Sequence, residues 1–246
     1  MSTRLYRLLS VFWYIRDSLF CRRCLRCKKV AAVRYKYLLC LDCKNFCKAR
    51  YDQCIRCAIN LPTGGTQCGR CLVQKGRFTQ AVIRAGFSYR GEIKQRIIDL
   101  KFLYRYDEVK VIASMLLENI LSRGEVPEFD IVIAVPMHWR KVAERGYNQS
   151  ELIAKQIAKR MGIPFAKRAM VKYRSTPSQQ GKTRKERIKN VKNTMRANNM
   201  VKGKRVLLID DVLTTGATIA ACVNACRVQE VYNIEAWVVA KSDQID

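Results

Sequence analysis

Four Cys-x-x-Cys pairs stand in a row, Cys24/Cys27, Cys40/Cys43, Cys54/Cys57 and Cys68/Cys71, separated by twelve, ten and ten residues. Thiolates are soft ligands, and a two-residue spacer lets one tight turn aim two sulfurs at one ion, so two pairs complete a tetrahedron around zinc. Taken two at a time, the pairs predict zinc ribbons holding one or two zinc ions. Cys21 and Cys47 are surplus and can substitute for a neighbour in the first site. A second stretch, Val206 to Thr218, reads VLLIDDVLTTGAT. Four apolar residues run into Asp210 and Asp211, and Thr214, Thr215, Gly216, Ala217 and Thr218 follow. Hydroxyls and backbone N–H groups in a loop that enters a helix suit a phosphate. The two carboxylates just upstream can accept hydrogen bonds from the vicinal hydroxyls of a sugar, or hold a magnesium ion that binds them. Phosphate beside diol describes a ribose 5-phosphate. The spacing is neither that of a Walker loop nor that of the dinucleotide fingerprint.

The elements that must position these groups follow from hydrophobic pattern. Residues 78–246 alternate strands with helices: AVIRAGFSY, FDIVIAVP, VLLIDD and NIEAWVVA read as strands, and four of the segments between them have helical period. Near-continuous apolar strands indicate an α/β domain, a parallel sheet with helices on both faces. In such sheets ligands collect at the carboxyl ends of the strands, where VLLIDD meets its threonines. Residues 21–77 lack long periodic elements, as expected of a small metal-stapled module. In residues 1–20, Leu5, Leu8, Leu9, Phe12, Ile15 and Leu19 recur at helical spacing and predict an amphipathic helix. It either packs on the following module or rests on a membrane surface.

Charge narrows the class of partner. The chain carries 47 Lys+Arg against 20 Asp+Glu, a formal net charge of +27. Residues 1–77 hold 17 basic and 3 acidic side chains, and residues 172–205 hold 12 and 1, so two zones contain most of the excess. Nucleic acid, anionic lipid and polyphosphate metabolites are the partners this implies. Tyr35, Tyr37, Phe46 and Tyr51 interleave with Lys28, Arg34, Lys36, Lys48 and Arg50, a pattern suited to base stacking beside a phosphate-tracking groove. The N-terminal apolar stretch has no small-residue cleavage site and is shorter than a membrane span. A cytoplasmic location is expected, where thiols stay reduced and clustered cysteines bind metal; the amphipathic helix leaves contact with the inner face of the membrane open.

VLLIDDVLTTGAT resembles the phosphoribosyl pyrophosphate (PRPP) signature of type I phosphoribosyltransferases. The whole chain beyond the first helix is similar to the ComF competence family, through the cysteine pairs, VIAVPMHWRKVAERGYNQSELIA, STPSQQGKTRKERIKNV and the signature itself. The resemblance implies a type I phosphoribosyltransferase-like domain over 78–246 behind a double zinc ribbon over 21–77. It also implies a part in handling incoming single-stranded DNA in natural transformation, with other DNA-uptake proteins as further partners. By the same resemblance Asp210 and Asp211 bind the ribose hydroxyls, and Thr214 to Thr218 the 5-phosphate. Arg140 and Lys141, in a loop after the strand ending at Val135, face the pyrophosphate. Arg174, Arg184 and Arg187, in a basic loop over 172–196, close on the diphosphate. Trp139 has no place in that scheme, and the only histidine, His138, is a weak candidate for a catalytic base.

Two functions remain open at this level. A DNA-handling factor would hold single strands on its basic surfaces and a phosphorylated ribose at the aspartates. An active phosphoribosyltransferase would pass ribose 5-phosphate from PRPP, with magnesium, to an acceptor. The spread of basic charge over the cysteine module favours the first, because a metabolite enzyme needs cations only at its site.

Overall fold

The structure is a computed structural model that describes residues 22–24, 26–31, 40–47, 52–62, 64–73, 81–124, 127–173 and 194–242. The N-terminal helix, Cys21, most of the aromatic and basic residues between the first two cysteine sets, and the loop carrying Arg174, Arg184 and Arg187 lie outside them.

Two small units come first, and each repeats the other. Strands β1 (Arg22–Arg23) and β2 (Val30–Ala31) pair antiparallel around Cys24 and Cys27, and helix α1 (Leu41–Cys47) follows. Strands β3 (Asp52–Gln53) and β4 (Asn60–Leu61) pair likewise around Cys54 and Cys57, followed by α2 (Gly69–Val73). The turns match bond for bond. Cys24 N donates to Lys29 O and Lys28 N to Cys24 O; Cys54 N donates to Ile59 O and Ala58 N to Cys54 O. Lys28 (φ 64°) and Ala58 (φ 54°) sit at the same step of each turn in the left-handed region, which side chains other than glycine enter only under constraint.

The larger body is built on four parallel strands in the order β5 (Val82–Ser88), β10 (Asn233–Lys241), β9 (Arg205–Leu213), β6 (Ile131–Ala134). Helices α3 (Gly91–Phe102), α4 (Asp107–Leu121) and α6 (Gln149–Met161) cover one face, packing Ile97, Leu116 and Ile153 against Leu207, Ile209 and Val239. Helix α7 (Ala217–Val228) covers the other, with Ile219, Cys222 and Val223 against Val206, Leu208 and Val238. The antiparallel pair β7 (Met170–Lys172) and β8 (Met195–Ala197) packs on that second face. Two-sided burial is why these strands read as unbroken apolar runs. Short α5 (Trp139–Arg145) links β6 to α6. Asn148 caps α6 by accepting from Ser150 N, and left-handed Gly162 ends it. Gly86 lets α4 approach β5: a Cβ there would meet Leu116 Cδ1 at 2.7 Å and Val239 O at 3.1 Å.

Both cysteine units dock on this body. Cys24, Cys40 and Cys43 share one apolar core with α3 and α4. Arg26 donates to Glu92 of α3 at 2.6 Å and to Cys43 Sγ at 3.3 Å, and its guanidinium lies 3.7 Å from the Phe46 ring centroid. Phe46, a sequence candidate for base stacking, is therefore committed at least in part to Arg26. The second unit lies along the outer edge of β5. Ile83 N donates to Ile55 O at 2.7 Å, and Ala85 N to Gln53 Oε1 at 3.2 Å. Arg123 completes the seam with bonds to Gln53 Oε1 and Ala85 O, each 2.6 Å, and to Asn119. Burial pushes its guanidinium down to about 10. Arg123→Met strips four acceptors, Gly86 O included, of one cation and is expected to cost about 2–4 kcal/mol in urea unfolding. A loss below about 0.5 kcal/mol, the scale of an ordinary surface change, would show that the seam is not needed.

Candidate functional site

Strand β9 includes both aspartates, as the VLLIDD reading expects, and runs further. It continues to Leu213, so Asp210 and Asp211 lie within the strand, 9% and 5% exposed, with one side chain toward each face of the sheet. The two form a buried carboxylate pair. Its partners come from the opening of α6. Ser150 Oγ donates to Asp210 Oδ1 at 2.9 Å, and Gln149 Nε2 to Asp211 Oδ2 at 2.7 Å. Lys101, in the last turn of α3, pairs with Asp211 Oδ2 at 2.7 Å. Backbone N–H groups of Asp211 and Val212 donate to Asp210 Oδ1 (2.9 Å) and Asp211 Oδ1 (2.6 Å).

These surroundings drive the two carboxyls apart. Burial, then the charge of Asp211, raises Asp210 to about 7. Burial acts on Asp211 in the same direction, but the Lys101 ammonium and the Gln149 amide outweigh it and hold Asp211 below the ordinary value. Asp211 is the standing anion and Asp210 the carboxyl that keeps its proton to higher pH. Both hydrogen bonds recorded to Asp210 go to Oδ1, so Oδ2 is the oxygen left for a hydroxyl or a cation among the described residues. Hard carboxylate oxygens suit magnesium in kind.

Downstream, Thr214, Thr215 and Gly216 form the bend into α7. Gly216 is left-handed (φ 78°) and offers no side-chain cap, so among the described residues the first N–H groups of α7 have only Thr215 Oγ1, which accepts from Ala217 N at 3.4 Å. Lys241 Nζ ties the bend from β10 by donating to Thr214 O at 3.1 Å. A helix N-terminus in this condition favours an anion. Ala217 and Thr218 occupy its first turn, as the sequence reading requires.

Arg140 and Lys141 are not in a loop. The segment after β6 is only Val135–His138; both cations are exposed in the first turn of α5. His138 Nδ1 accepts from Arg140 N at 3.3 Å, so its ring caps that helix. Sequence reasoning missed Lys101, Gln149, Ser150 and Lys172. Tyr147–Ser150 is spent entirely on the site. Tyr147 OH reaches Leu100 O, and Asn148 Nδ2 binds Val135 O at 2.9 Å. Lys172, in β7, lies within electrostatic range of Asp210. The detectable signal was a polar run at a helix start where an amphipathic pattern predicts mixed exposure.

The eight paired cysteines gather into two tetrads, Cys24/Cys27/Cys40/Cys43 and Cys54/Cys57/Cys68/Cys71, each with its sulfurs within 4.8 Å of one another. The first pair of each sits in the hairpin turn and the second at the start of a short helix. Donor chemistry fits zinc. Backbone N–H groups of Cys27, Cys40 and Arg26 overcome burial and bring the Cys24 thiol down to about 6. Burial and neighbouring thiols push Cys43 up to about 12 and Cys57 to about 11. Cys24 and Cys54 ionise readily, whereas Cys43 and Cys57 need a cation beside them, which a divalent ion supplies.

An α/β sheet with an aspartate pair on its central strand, a phosphate-type bend after it and two cysteine tetrads ahead of it defines a phosphoribosyltransferase-type domain with a metal-binding module. Comparison agrees. Residues 148–244 match the family described as "Phosphoribosyl transferase domain". The chain is 26% identical over 223 residues to the DNA utilization protein YhgH of Salmonella typhi, covering 89% of this chain and 96% of that one. It is 26% identical over 226 residues to Competence protein F of Haemophilus influenzae, covering 89% and 97%. A glutamine PRPP amidotransferase structure from B. subtilis overlaps 57% of this chain and 30% of its own at 20% identity and a TM-score of 0.37, too slight a likeness to build on. Relatives with competence and DNA-utilization names, together with the domain match, support the ComF competence family. No helix among the described residues is long and apolar enough to cross a membrane.

Proposed function

We propose that the protein binds PRPP, or another ribose 5-phosphate, with magnesium at the C-terminal edge of its sheet, and that it serves in natural transformation by handling single-stranded DNA. The observation that carries the ribose-phosphate part is the buried Asp210–Asp211 pair, held from Lys101, Gln149 and Ser150 and followed by the uncapped start of α7. Asp210 and Asp211 take the ribose hydroxyls or their magnesium, and Thr214 to Thr218 the 5-phosphate. Arg140, Lys141 and the loop bearing Arg174, Arg184 and Arg187 take the diphosphate. The two tetrads each hold a zinc ion. The excess positive charge supports the DNA part, together with names of relatives that refer to DNA utilization and competence. A soluble, cytoplasmic location and an N-terminal helix that touches the membrane surface complete this reading.

A second reading, active transfer from PRPP to an acceptor, is favoured by the family match alone. Parallel titrations with PRPP and with a single-stranded oligonucleotide, each with Mg²⁺ and across a salt series, separate the two. DNA binding without sequence preference, its logarithm falling with that of salt at about −0.7 per phosphate neutralised, supports strand handling. Because the second cysteine unit covers the edge of β5, deleting residues 1–77 is not a clean test of the module. Neutralising exposed Arg23 and Lys29 by glutamine is: each is expected to flatten the slope by about 0.7 if it meets a phosphate. An unchanged slope moves the strand off the cysteine module. PRPP failing to bind at millimolar concentration with Mg²⁺ would remove the ribose-phosphate site.

A further inference from the structure

A cleft of about 480 Å³ opens beyond the C-terminal end of β6, between α5, the start of α6 and β7. Pro136, Met137, Trp139, Val142, Met170 and Val171 give it a largely apolar wall. Neither the aspartates nor the threonine bend borders it, so it adjoins the ribose-phosphate site without coinciding with it, and Arg140 and Lys141 beside it can serve the diphosphate or a strand but not both at once. Its volume lies in the range of small-molecule pockets, enough for a planar base and part of its sugar.

Trp139 is the feature that needs a reason. It opens α5 with 65% of its surface exposed, the Arg140 guanidinium 5.3 Å from its ring centroid and the His138 ring 5.6 Å away. An indole left in water at the mouth of an apolar cleft is a platform for a flat partner. The cations beside it argue that the partner is anionic. Lys172 lines the cleft, and burial together with the nearby Lys141 ammonium depresses its pKa. The Asp210 carboxyl acts on Lys172 in the opposite sense, so the anion the cleft would take lies on the Lys141 side of it. Further out, Arg140 and Lys141 are exposed and have no acidic partner among the described residues. At the opposite rim Lys167 is neutralised by Glu151 at 3.0 Å. Positive charge is thus gathered at Lys172, Lys141 and Arg140, with Glu144 the one acidic residue further along α5. A lone nucleotide needs one such contact; a succession of them fits successive phosphates of a strand.

We infer that the cleft takes one unstacked base of single-stranded DNA, laid on Trp139, with the neighbouring phosphates on Lys172, Lys141 and Arg140. The inference rests on the strand-handling part of the proposed function and places a strand contact on the transferase-like body, where the sequence had pointed to the cysteine module. Base–aromatic stacking is indifferent to base identity, so this contact adds affinity without adding sequence preference.

The test uses the full, zinc-loaded chain, a thymidine oligonucleotide, a strand of equal length with a central abasic run, and thymidine monophosphate. Trp139→Ala is expected to weaken the intact strand about 5- to 150-fold, the range for one stacked base, and Trp139→Phe to restore most of it. The abasic strand should bind wild type and Trp139→Ala alike. The salt slope should not change, because no charge is removed, and PRPP affinity and the melting midpoint should stay at wild-type values. If the wild type binds DNA but Trp139→Ala or the abasic run makes no difference, the cleft is not a base site while strand handling stands. A wild type that binds no strand even at low salt removes both. Tryptophan-dependent binding of the monophosphate without the strand overturns the inference in favour of a small-molecule pocket.

Discussion

Asp210→Asn is expected to stabilise the protein, and Asp211→Asn, one residue further along the same strand, to destabilise it. The reason is the division of labour between the carboxyls. The Asp210 pKa stands near 7 in the fold and near about 3.9 in an unfolded chain. Between those values the unfolded state loses its proton and the folded state keeps it, so stability falls as pH rises through that window and stays lowered above it. Asparagine removes this penalty and still accepts from Ser150, for a gain of about 1–3 kcal/mol at pH 8 that fades toward pH 4. Asp211 has the opposite sign. Its depressed pKa contributes stability present above the unfolded value and lost in acid, and replacing it leaves the Lys101 ammonium, 18% exposed, without its counter-charge. A loss of about 1–3 kcal/mol is expected. Each substitution should weaken PRPP–magnesium binding at least about tenfold, and the pair abolish it. Binding by the wild type should also weaken below pH 7, as Asp210 takes up its proton. Melting curves at pH 5 and 8 beside PRPP titrations check all of this; a stabilising Asp211→Asn would refute the assignment of roles.

Chelation should do more than unfold a small appendage. Two zinc ions per chain are expected, and structural zinc in isolated finger peptides contributes on the order of 10–16 kcal/mol. In this fold three ligands of the first tetrad sit in the same core as α3 and α4, and the second unit satisfies the outer edge of β5. Metal removal should therefore lower the melting midpoint of the whole chain in one transition and expose the β5 edge to pairing with other chains. Metal analysis finding none, or a chelated protein whose sheet melts where the untreated one does, would show that the tetrads are incidental to the fold.

The parts legible in sequence were those with one dominant physical cause. Strands buried on both faces, as β6, β9 and β10 are, announce themselves as apolar runs, and the Cys-x-x-Cys spacing fixes where two sulfurs can aim. The site was legible at Asp210, Asp211 and the bend after them. What failed to read was tertiary. Lys101, Gln149 and Ser150 look like the solvated positions of two helices, and only the crossing of those helices over β9 buries them beside the aspartates. The strand runs two residues beyond VLLIDD, to Leu213, and Lys101 and the start of α6 let the sheet carry two carboxylates inside it. The family resemblance places Arg140 and Lys141 in a loop, while His138 caps a helix there.

The strand order has a consequence for biosynthesis. β10, last of the strands in sequence, lies between β5 and β9, so β5, the first of the large sheet, has no strand to pair with until nearly everything else has been made. Long-range parallel pairing of this kind is slow and leaves unpaired strands vulnerable. The second cysteine unit, already synthesised by then, can supply Ile55 O and Gln53 Oε1 to one edge of β5 while the other edge waits. In the nascent chain that unit would act as a built-in chaperone for the strand behind it, and the supply of metal at the ribosome would decide how much of the protein reaches its fold.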